Sequence, residues 1–206
     1  MNVSAGGTPT VGILMAAGRG RRFDPAGLRN KLLQPLPEAG GEAAAGAPVV
    51  VASARKLLAV LPRVVAVVPP DDGGVGARLA SLGCDVTVCL DADSGMAASL
   101  THAIRRSLDV LSPVDAWLVA LGDMPHVAPA TLQALADALG QGAGIVAPVL
   151  AGRRGNPVGF GRVHLDALLA LRGEQGARKL LQTLPVTEVE VDDPGIFRDI
   201  DTPADL

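Results

Sequence analysis

Leu14-Met15-Ala16-Ala17-Gly18-Arg19-Gly20-Arg21-Arg22-Phe23 sets the architecture of this chain, because an apolar run changes there into glycines and arginines. The apolar run Val11–Ala16 predicts a buried strand, and the small residues after it let the backbone approach an anion closely. Clustered N–H groups in such a loop bind anions, and the three arginines together with Lys31 add positive charge. The stretch therefore predicts a strand that leads into a polyphosphate-binding loop. The alternative is an ordinary strand-to-helix turn with solvated arginines.

Two common phosphate-binding motifs are absent from this sequence. A Walker loop requires Gly-Lys-Ser/Thr, and that tripeptide does not occur. A dinucleotide-binding fingerprint requires a third glycine, and Phe23 stands in its place. The glycine-rich loop therefore belongs to neither class.

The composition favours a small anionic ligand over a nucleic acid or a membrane. The 206 residues carry a net charge of -3, so the chain lacks the positive field that duplex DNA or an anionic membrane attracts. Aromatic residues make up 2% of the chain, which argues against base stacking on a single strand. The two cysteines show no metal-ligand spacing, and residues 1–10 show no signal-peptide pattern, so we expect a cytoplasmic protein.

Apolar runs alternate with helical patterns along the chain, which predicts a three-layer α/β/α fold around a mainly parallel sheet. We expect strands at Val11–Ala16, Val64–Val68, Asp85–Leu90, Ala116–Leu121 and Gly144–Leu150, and helices at Pro48–Leu61, Gly74–Leu82, Met96–Val110 and around Leu132–Leu139. Residues 1–10 are predicted to be a flexible N-terminus. Residues 37–47 are low in sequence complexity and are predicted to be a surface insertion. Ligands of such sheets bind outside the carboxyl ends of the strands, where the glycine-rich loop and Gly122–His126 lie.

Three carboxylates are candidate metal ligands. Asp123 follows a predicted buried strand, and Asp199 and Asp201 share one face if the C-terminal segment is extended. Mg²⁺ prefers one or two carboxylates together with phosphate oxygens. Alternatively, Asp123 caps the next turn and Thr202 caps a C-terminal helix start, although capping by Thr202 is compatible with metal binding by Asp201.

Two further loops allow both a binding and a purely local interpretation. Arg154, Asn156 and Pro157 lie in a glycine-containing segment that either contacts a ligand or forms a hairpin loop. Ser94 and Gly95 lie at a predicted helix start, where free N–H groups bind anions unless Ser94 caps them. We favour capping by Ser94.

Taken together, these segments resemble the molybdenum-cofactor nucleotidyltransferases, and most of all the cytidylyltransferase branch that forms the cytosine dinucleotide of molybdopterin. The resemblance extends from Val11 to Leu206. It rests on six motifs in order: Leu14–Arg22 with Lys31, Gly95-Met96 with Ser99-Leu100, Gly122-Asp123-Met124-Pro125, Arg154-Gly155-Asn156-Pro157, Gly173-Glu174-Gln175-Gly176-Ala177-Arg178 and Asp199-Ile200-Asp201-Thr202-Pro203.

The resemblance implies a Rossmann-like nucleotidyltransferase fold in a single domain, residues 1–206, that transfers CMP from CTP to the phosphate of molybdopterin and releases pyrophosphate. Catalytic roles fall on Arg22, Lys31 and Asp123, and Mg²⁺ would be held by Asp123 and Asp201, with Asp199 a neighbour. The residues implied in nucleotide binding are Leu14, Ala16, Ala17, Gly18, Arg19, Gly20, Ser94, Gly95 and Ser99, and those implied in acceptor binding are Arg154, Asn156, Pro157 and Arg178. The implied partners are CTP or another NTP, a molybdopterin-type acceptor and a molybdenum hydroxylase as client.

Two positions, Ala17 and Ala97, concern the substrate. Guanylyl relatives usually carry two glycines where this chain has Ala17-Gly18, and a methyl group at Ala17 would favour a pyrimidine over a purine. The family usually has glycine at the position of Ala97, where alanine would be costly if the backbone required a positive φ. The alternatives are a related enzyme that uses GTP or another phosphorylated acceptor (a sugar phosphate, methylerythritol phosphate or phospholactate), and a non-catalytic molybdenum-cofactor chaperone.

Overall fold

The computed structural model describes residues 9–37, 46–174 and 176–206. Most of the predicted flexible N-terminus and most of the predicted insertion at 37–47 lie outside these ranges. The two described ends of the insertion meet: Leu36 N donates to Ala47 O at 2.9 Å, and Gly46 N donates to Leu36 O at 2.9 Å. Pro35 and Pro48 form a β-bridge beside them, so residues 35–36 lie next to residues 46–48.

Strands and helices alternate through the first two thirds of the chain and agree with the predicted elements to within two residues where both ends were predicted. The described strands are β1 Thr10–Met15, β2 Val64–Val68, β3 Asp85–Val88, β4 Ala116–Leu121, β5 Ile145–Leu150, β6 Arg153–Arg154, β7 Val158–Gly161 and β8 Thr187–Glu190. The described helices are α1 Val49–Val60, α2 Val75–Ser81, α3 Met96–Val110, α4 Pro129–Gly140, α5 Leu165–Leu169 and α6 Arg178–Thr183. Short 3-10 turns at Lys31–Leu33, Ala92–Ser94 and Pro194–Phe197 lie near the carboxyl ends of the strands.

The sheet is mainly parallel, with β1 and β4 as neighbouring inner strands. β1 pairs in parallel with β2 and β4, and β2 pairs in parallel with β3. β7 pairs antiparallel with β4 and β5, β6 pairs antiparallel with β5, and β8 pairs in parallel with β5. Met15 is the register partner of Leu121, so the loops that follow β1 and β4 begin side by side.

Both faces of the sheet are covered, which explains why the central strands are apolar throughout. Leu14, Leu118 and Ala66 face a core made with α1, α2 and α4. Ile13 and Trp117 face a second core made with α3 and α5. The predicted three-layer α/β/α architecture is therefore confirmed.

The two cysteines are buried, unpaired thiols at either end of β3. Cys84 packs in the core on the α1 side and Cys89 in the core on the α3 side, so the two thiols lie on opposite faces of the sheet. Burial raises the pKa of the Cys84 thiol to about 11. In the part of the chain that the structure describes, no helix has the length and apolar character needed to cross a membrane.

The turn between β5 and β6 holds an alanine in a left-handed conformation. Ala151 has φ 51° and Gly152 φ 73°, the pattern of a two-residue hairpin turn that favours Asn-Gly. Asparagine adopts this left-handed conformation at lower cost than alanine does, so Ala151→Asn should raise the free energy of unfolding by about 0.5–1 kcal/mol, or the melting temperature by about 1–4 °C.

The matched control is Ala77→Asn, at an exposed position in α2. Asparagine is a poorer helix former than alanine, so this variant should lose stability. Equal melting temperatures for Ala151→Asn and the unmodified protein in differential scanning calorimetry would show that the turn carries no strain.

Candidate active site

The loop after β4 is fixed to the sheet and to α1 by main-chain contacts. Gly122 N donates to Met15 O at 2.9 Å, which extends the β1–β4 pairing by one bond. From α1, the buried Ser53 Oγ donates to Gly122 O at 3.0 Å, and Lys56 Nζ donates to Pro125 O at 2.6 Å. Asp123 therefore lies on a rigid loop at the carboxyl edge of the sheet.

The C-terminal segment lies against this loop. Ile200, which is completely buried, donates its N–H to Asp123 O at 2.9 Å. After it, Thr202 and Asp205 form a reciprocal capping box at the start of a 3-10 turn, as the sequence predicted for Thr202. Asp201 is held between these two contacts.

Lys31 brings Asp123 and Asp201 together. Lys31 Nζ lies 2.5 Å from Asp123 Oδ2 and 3.3 Å from Asp201 Oδ1, although the chain separates Lys31 from them by 92 and 170 residues. Its side chain is 9% exposed and each aspartate side chain 20%, so the charges are partly desolvated. Arg22 Nη1 binds the other oxygen of Asp201, Oδ2, at 2.5 Å. We call Arg22, Asp201, Lys31 and Asp123 the ion-pair chain.

The glycine-rich loop after β1 forms one wall above the ion-pair chain. Gly20 has φ +59°, and a Cβ there would lie 3.3 Å from Lys31 Cγ, so a larger residue would press on the lysine. A Cβ at Gly18 would have no neighbour within 4 Å, so this part of the loop is open. Arg19 pairs with Asp93 across the opening, and both side chains are more than half exposed.

The opposite wall is the start of α3, where the prediction of a Ser94 cap is wrong. The N-cap of α3 is Gly95, with φ 112°, and no side chain caps the helix. A Cβ at Gly95 would lie 2.7 Å from Gly173 C and O, so only glycine fits this approach. Ala97 lies inside α3, and Ala151 is the only residue other than glycine with positive φ in the described ranges. Alanine at position 97 therefore adds no backbone strain.

These walls enclose a cleft of about 540 Å³. Many of the predicted nucleotide and metal residues line it: Ala17, Gly18, Arg19, Gly20, Arg22, Lys31, Gly95, Ser99, Asp123, Asp199 and Asp201. Met15, Arg21, Asp93, Met96 and Glu174 also line it, and they were not among the predicted site residues. Asp93 directly precedes Ser94-Gly95 and Glu174 lies in the Gly173–Arg178 motif, but neither was assigned a role in the site.

The structure does not bring the other predicted residues into the cleft. Leu14 and Ala16 are buried in the core, and Ser94 lines a neighbouring cavity. Arg154 lies in the β5–β6 hairpin that the sequence offered as an alternative, and its Nε donates to Glu188 Oε1 of β8 at 2.7 Å. Asn156 N, just after this hairpin, donates to Ile196 O at 3.0 Å. Pro157 lines a small apolar cavity, and Arg178 is the exposed first residue of α6. Acceptor binding by these four residues stays a prediction.

The donor set of the cleft fits a divalent cation. Within the described ranges, no group of three or more His, Cys, Asp or Glu side chains is arranged as a complete metal site. Mg²⁺ is usually bound through one or two carboxylates plus substrate phosphates, so a complete protein cage is not required. Oxygens of Asp123 and Asp201 both contact one ammonium group, which shows that the two carboxylates converge on a positive charge. Desolvation raises the pKa of the neighbouring Asp199 carboxyl, and the charges of Asp201 and Asp123 add to this effect.

Comparisons with known proteins agree with this geometry. A family model described as "MobA-like NTP transferase domain" matches residues 12–189. The bifunctional protein GlmU of Burkholderia multivorans is 33% identical over 159 residues, which cover 75% of this chain and 30% of GlmU, so the chain spans about a third of the length of that relative.

Solved structures of two proteins are similar to this chain over almost its whole length. Rv0371c from Mycobacterium tuberculosis H37Rv is 29% identical with a TM-score of 0.79, and its complex with manganese is 28% identical with a TM-score of 0.74; each comparison covers 96% of both chains. Molybdopterin-guanine dinucleotide biosynthesis protein A from Archaeoglobus fulgidus is 21% identical, with a TM-score of 0.63 over 95% of this chain and 94% of that one. The last comparison shows the fold alone.

Proposed function

Because the chain belongs to the family of MobA-like NTP transferase domains, we propose that it transfers CMP from CTP to the terminal phosphate of molybdopterin and releases pyrophosphate. The observation that carries this proposal is the ion-pair chain, in which two cations and two carboxylates meet beneath a glycine-rich loop. A site for a triphosphate and a phosphorylated acceptor needs cations for the phosphate oxygens, and a metal site needs carboxylates, so both kinds of group must lie close together. The molybdopterin acceptor and the cytosine base rest on the resemblance of the sequence motifs to the cytidylyltransferase branch.

In the proposed reaction, Asp123 and Asp201 would hold Mg²⁺. When bound, the ion would supply positive charge that stabilises the substrate phosphates. The manganese complex of Rv0371c supports a divalent metal in a relative of the same fold. Because two carboxylates suffice for this role, Asp199 remains available as a neighbour that adds negative charge.

Cationic side chains and loop amides stabilise the charge on the nucleotide. Backbone N–H groups of Gly18–Gly20 bind the triphosphate, Arg22 binds its outer oxygens, and Lys31 neutralises charge that develops at the α-phosphate. Binding exchanges partners: Lys31 and Arg22 leave Asp123 and Asp201 for phosphate oxygens. The attacking phosphate is already an anion, so no general base is needed, and positioning plus electrostatics account for catalysis.

The decisive experiment is incubation of the protein with Mg²⁺, molybdenum cofactor and each of the four NTPs, followed by mass identification of the dinucleotide. The cytosine dinucleotide is the expected product. Pyrophosphate release with a sugar phosphate, methylerythritol phosphate or phospholactate instead would assign a different acceptor to the same site. Absence of pyrophosphate release with all acceptors would contradict the proposal.

We expect base preference to depend on Ala17, which lines the cleft. A methyl group there narrows the pocket, so the protein should bind CTP more tightly than GTP, and Ala17→Gly should reduce this preference by about tenfold. Isothermal titration calorimetry with both nucleotides measures the ratio. Equal affinities of the unmodified protein for CTP and GTP would remove the basis of the prediction.

A further inference from the structure

Asp193 is a buried carboxylate outside the cleft, and the proposed reaction does not use it. Asp193 is 6% exposed, and both of its carboxylate oxygens accept hydrogen bonds. Oδ1 accepts from Gly195 N at 2.9 Å, and Oδ2 accepts from Ala128 N at 2.8 Å and from Thr131 Oγ1 at 2.7 Å. A buried carboxylate is costly unless it is fully hydrogen-bonded, so three neutral donors mark a position with a specific role.

Two of these donors belong to the start of α4. Ala128 is the N-cap residue of α4 and supplies no side-chain cap, and Thr131 lies in the first turn. Asp193, 65 residues further along the chain than Ala128, therefore caps the helix in place of a local residue. Its negative charge also lies at the positive end of the helix dipole, which favours this arrangement.

The same contact fixes the segment that carries Asp201 to the loop that carries Asp123. Next to Asp193, Gly195 approaches the loop so closely that a Cβ would lie 2.3 Å from His126 O. Further along, Ile200 N donates to Asp123 O. The 193–200 segment is thus attached to the 123–131 segment at both ends, and the two carboxylates that contact Lys31 lie at the Ile200 end.

We propose that Asp193 is a positioning residue that sets the separation of the Asp123 and Asp201 carboxylates by tying the C-terminal segment to the start of α4. It acts through the backbone and touches neither substrate. This inference rests on the proposed function, because it requires the two carboxylates to bind one metal ion. Partners that orient metal ligands typically contribute 10–100-fold to metal affinity.

The test is a titration of the full chain with Mn²⁺ alone, followed by water-proton relaxation. Asp193→Asn, which lacks one acceptor oxygen, should bind Mn²⁺ at least about tenfold more weakly than the unmodified protein. Thr131→Val removes one of the three hydrogen bonds and should weaken binding about two- to fivefold.

The matched control is Ser107→Ala, on the opposite side of the sheet. It removes the buried hydrogen bond that Trp117 Nε1 donates to Ser107 Oγ at 2.8 Å. The thermal stability of this variant should fall, but its affinity for Mn²⁺ should not change.

A second measurement is turnover against Mg²⁺ concentration. Excess Mg²⁺ should restore much of the kcat lost in Asp193→Asn, which a purely structural defect would not allow.

The possible outcomes separate this inference from the proposed function. Wild-type Mn²⁺ affinity in both Asp193→Asn and Thr131→Val overturns the role of Asp193 alone. If Asp193→Asn does not fold, Thr131→Val decides, and unchanged affinity in that variant overturns the inference. If the unmodified protein binds no Mn²⁺, both this inference and the proposed metal site fall.

Discussion

Lys31→Met is expected to lower kcat by about 10²–10³-fold, because the ammonium group would otherwise stabilise charge at the α-phosphate. Its affinity for Mn²⁺ alone is expected to rise, because Lys31 Nζ lies between the oxygens of Asp123 and Asp201 and competes with a metal ion for them. A general loss of structure cannot produce tighter metal binding together with slower turnover. The pair of results therefore tests the chemistry of the site separately from its stability.

The measurements for this variant are single-turnover kinetics and an Mn²⁺ titration. Lys179→Met serves as the control, since it removes a similar charge from an exposed position in α6. It should leave both quantities unchanged. A kcat for Lys31→Met within tenfold of the unmodified protein would refute the role given to Lys31.

Asp123→Asn is expected to abolish Mn²⁺ binding in the millimolar range and to lower kcat/KM by about 10³-fold or more. The asparagine keeps the size of the side chain but removes one of the two charges that converge on Lys31. Lys31 retains its contact with Asp201, so we expect only a modest loss of thermal stability.

Asp109→Asn, in the exposed last turn of α3, controls for the loss of a carboxylate. Combining Asp123→Asn with Lys31→Met should cost much less than the sum of the two single effects, because residues that act as a unit are not additive. Full additivity in the double variant would mean that the two residues serve different steps.

The sequence predicted the first two thirds of the fold well, for a physical reason. β2, β4 and α3 were predicted to the residue, because strands buried on both faces are continuous apolar runs and α3 carries leucines at helical spacing. β8 was missed, because Thr187–Glu190 alternates charged and uncharged residues and is mostly exposed. The predicted Ser94 cap is also wrong, since the N-cap of α3 is Gly95, which adopts a φ of 112°.

The candidate site could be predicted as a set of residues but not as a set of contacts. Asp123 and Lys31 were chosen for their charge and their position after strands, yet nothing in the sequence order pairs groups 92 residues apart. Asp193 was missed because a carboxylate between Asp192 and Pro194 resembles an ordinary turn residue. Its partners become visible only when the C-terminal segment is placed beside α4.

Leu36 is hydrogen-bonded to Gly46 and Ala47, so the chain on the two sides of residues 38–45 is held together. Since both ends are fixed by these hydrogen bonds, we expect that residues added between them will change neither the turn at Lys31 nor the start of α1. Lengthening a loop between fixed ends costs little entropy. A fluorophore or affinity peptide could therefore be grafted at this point to report on ligand binding without displacing the ion-pair chain.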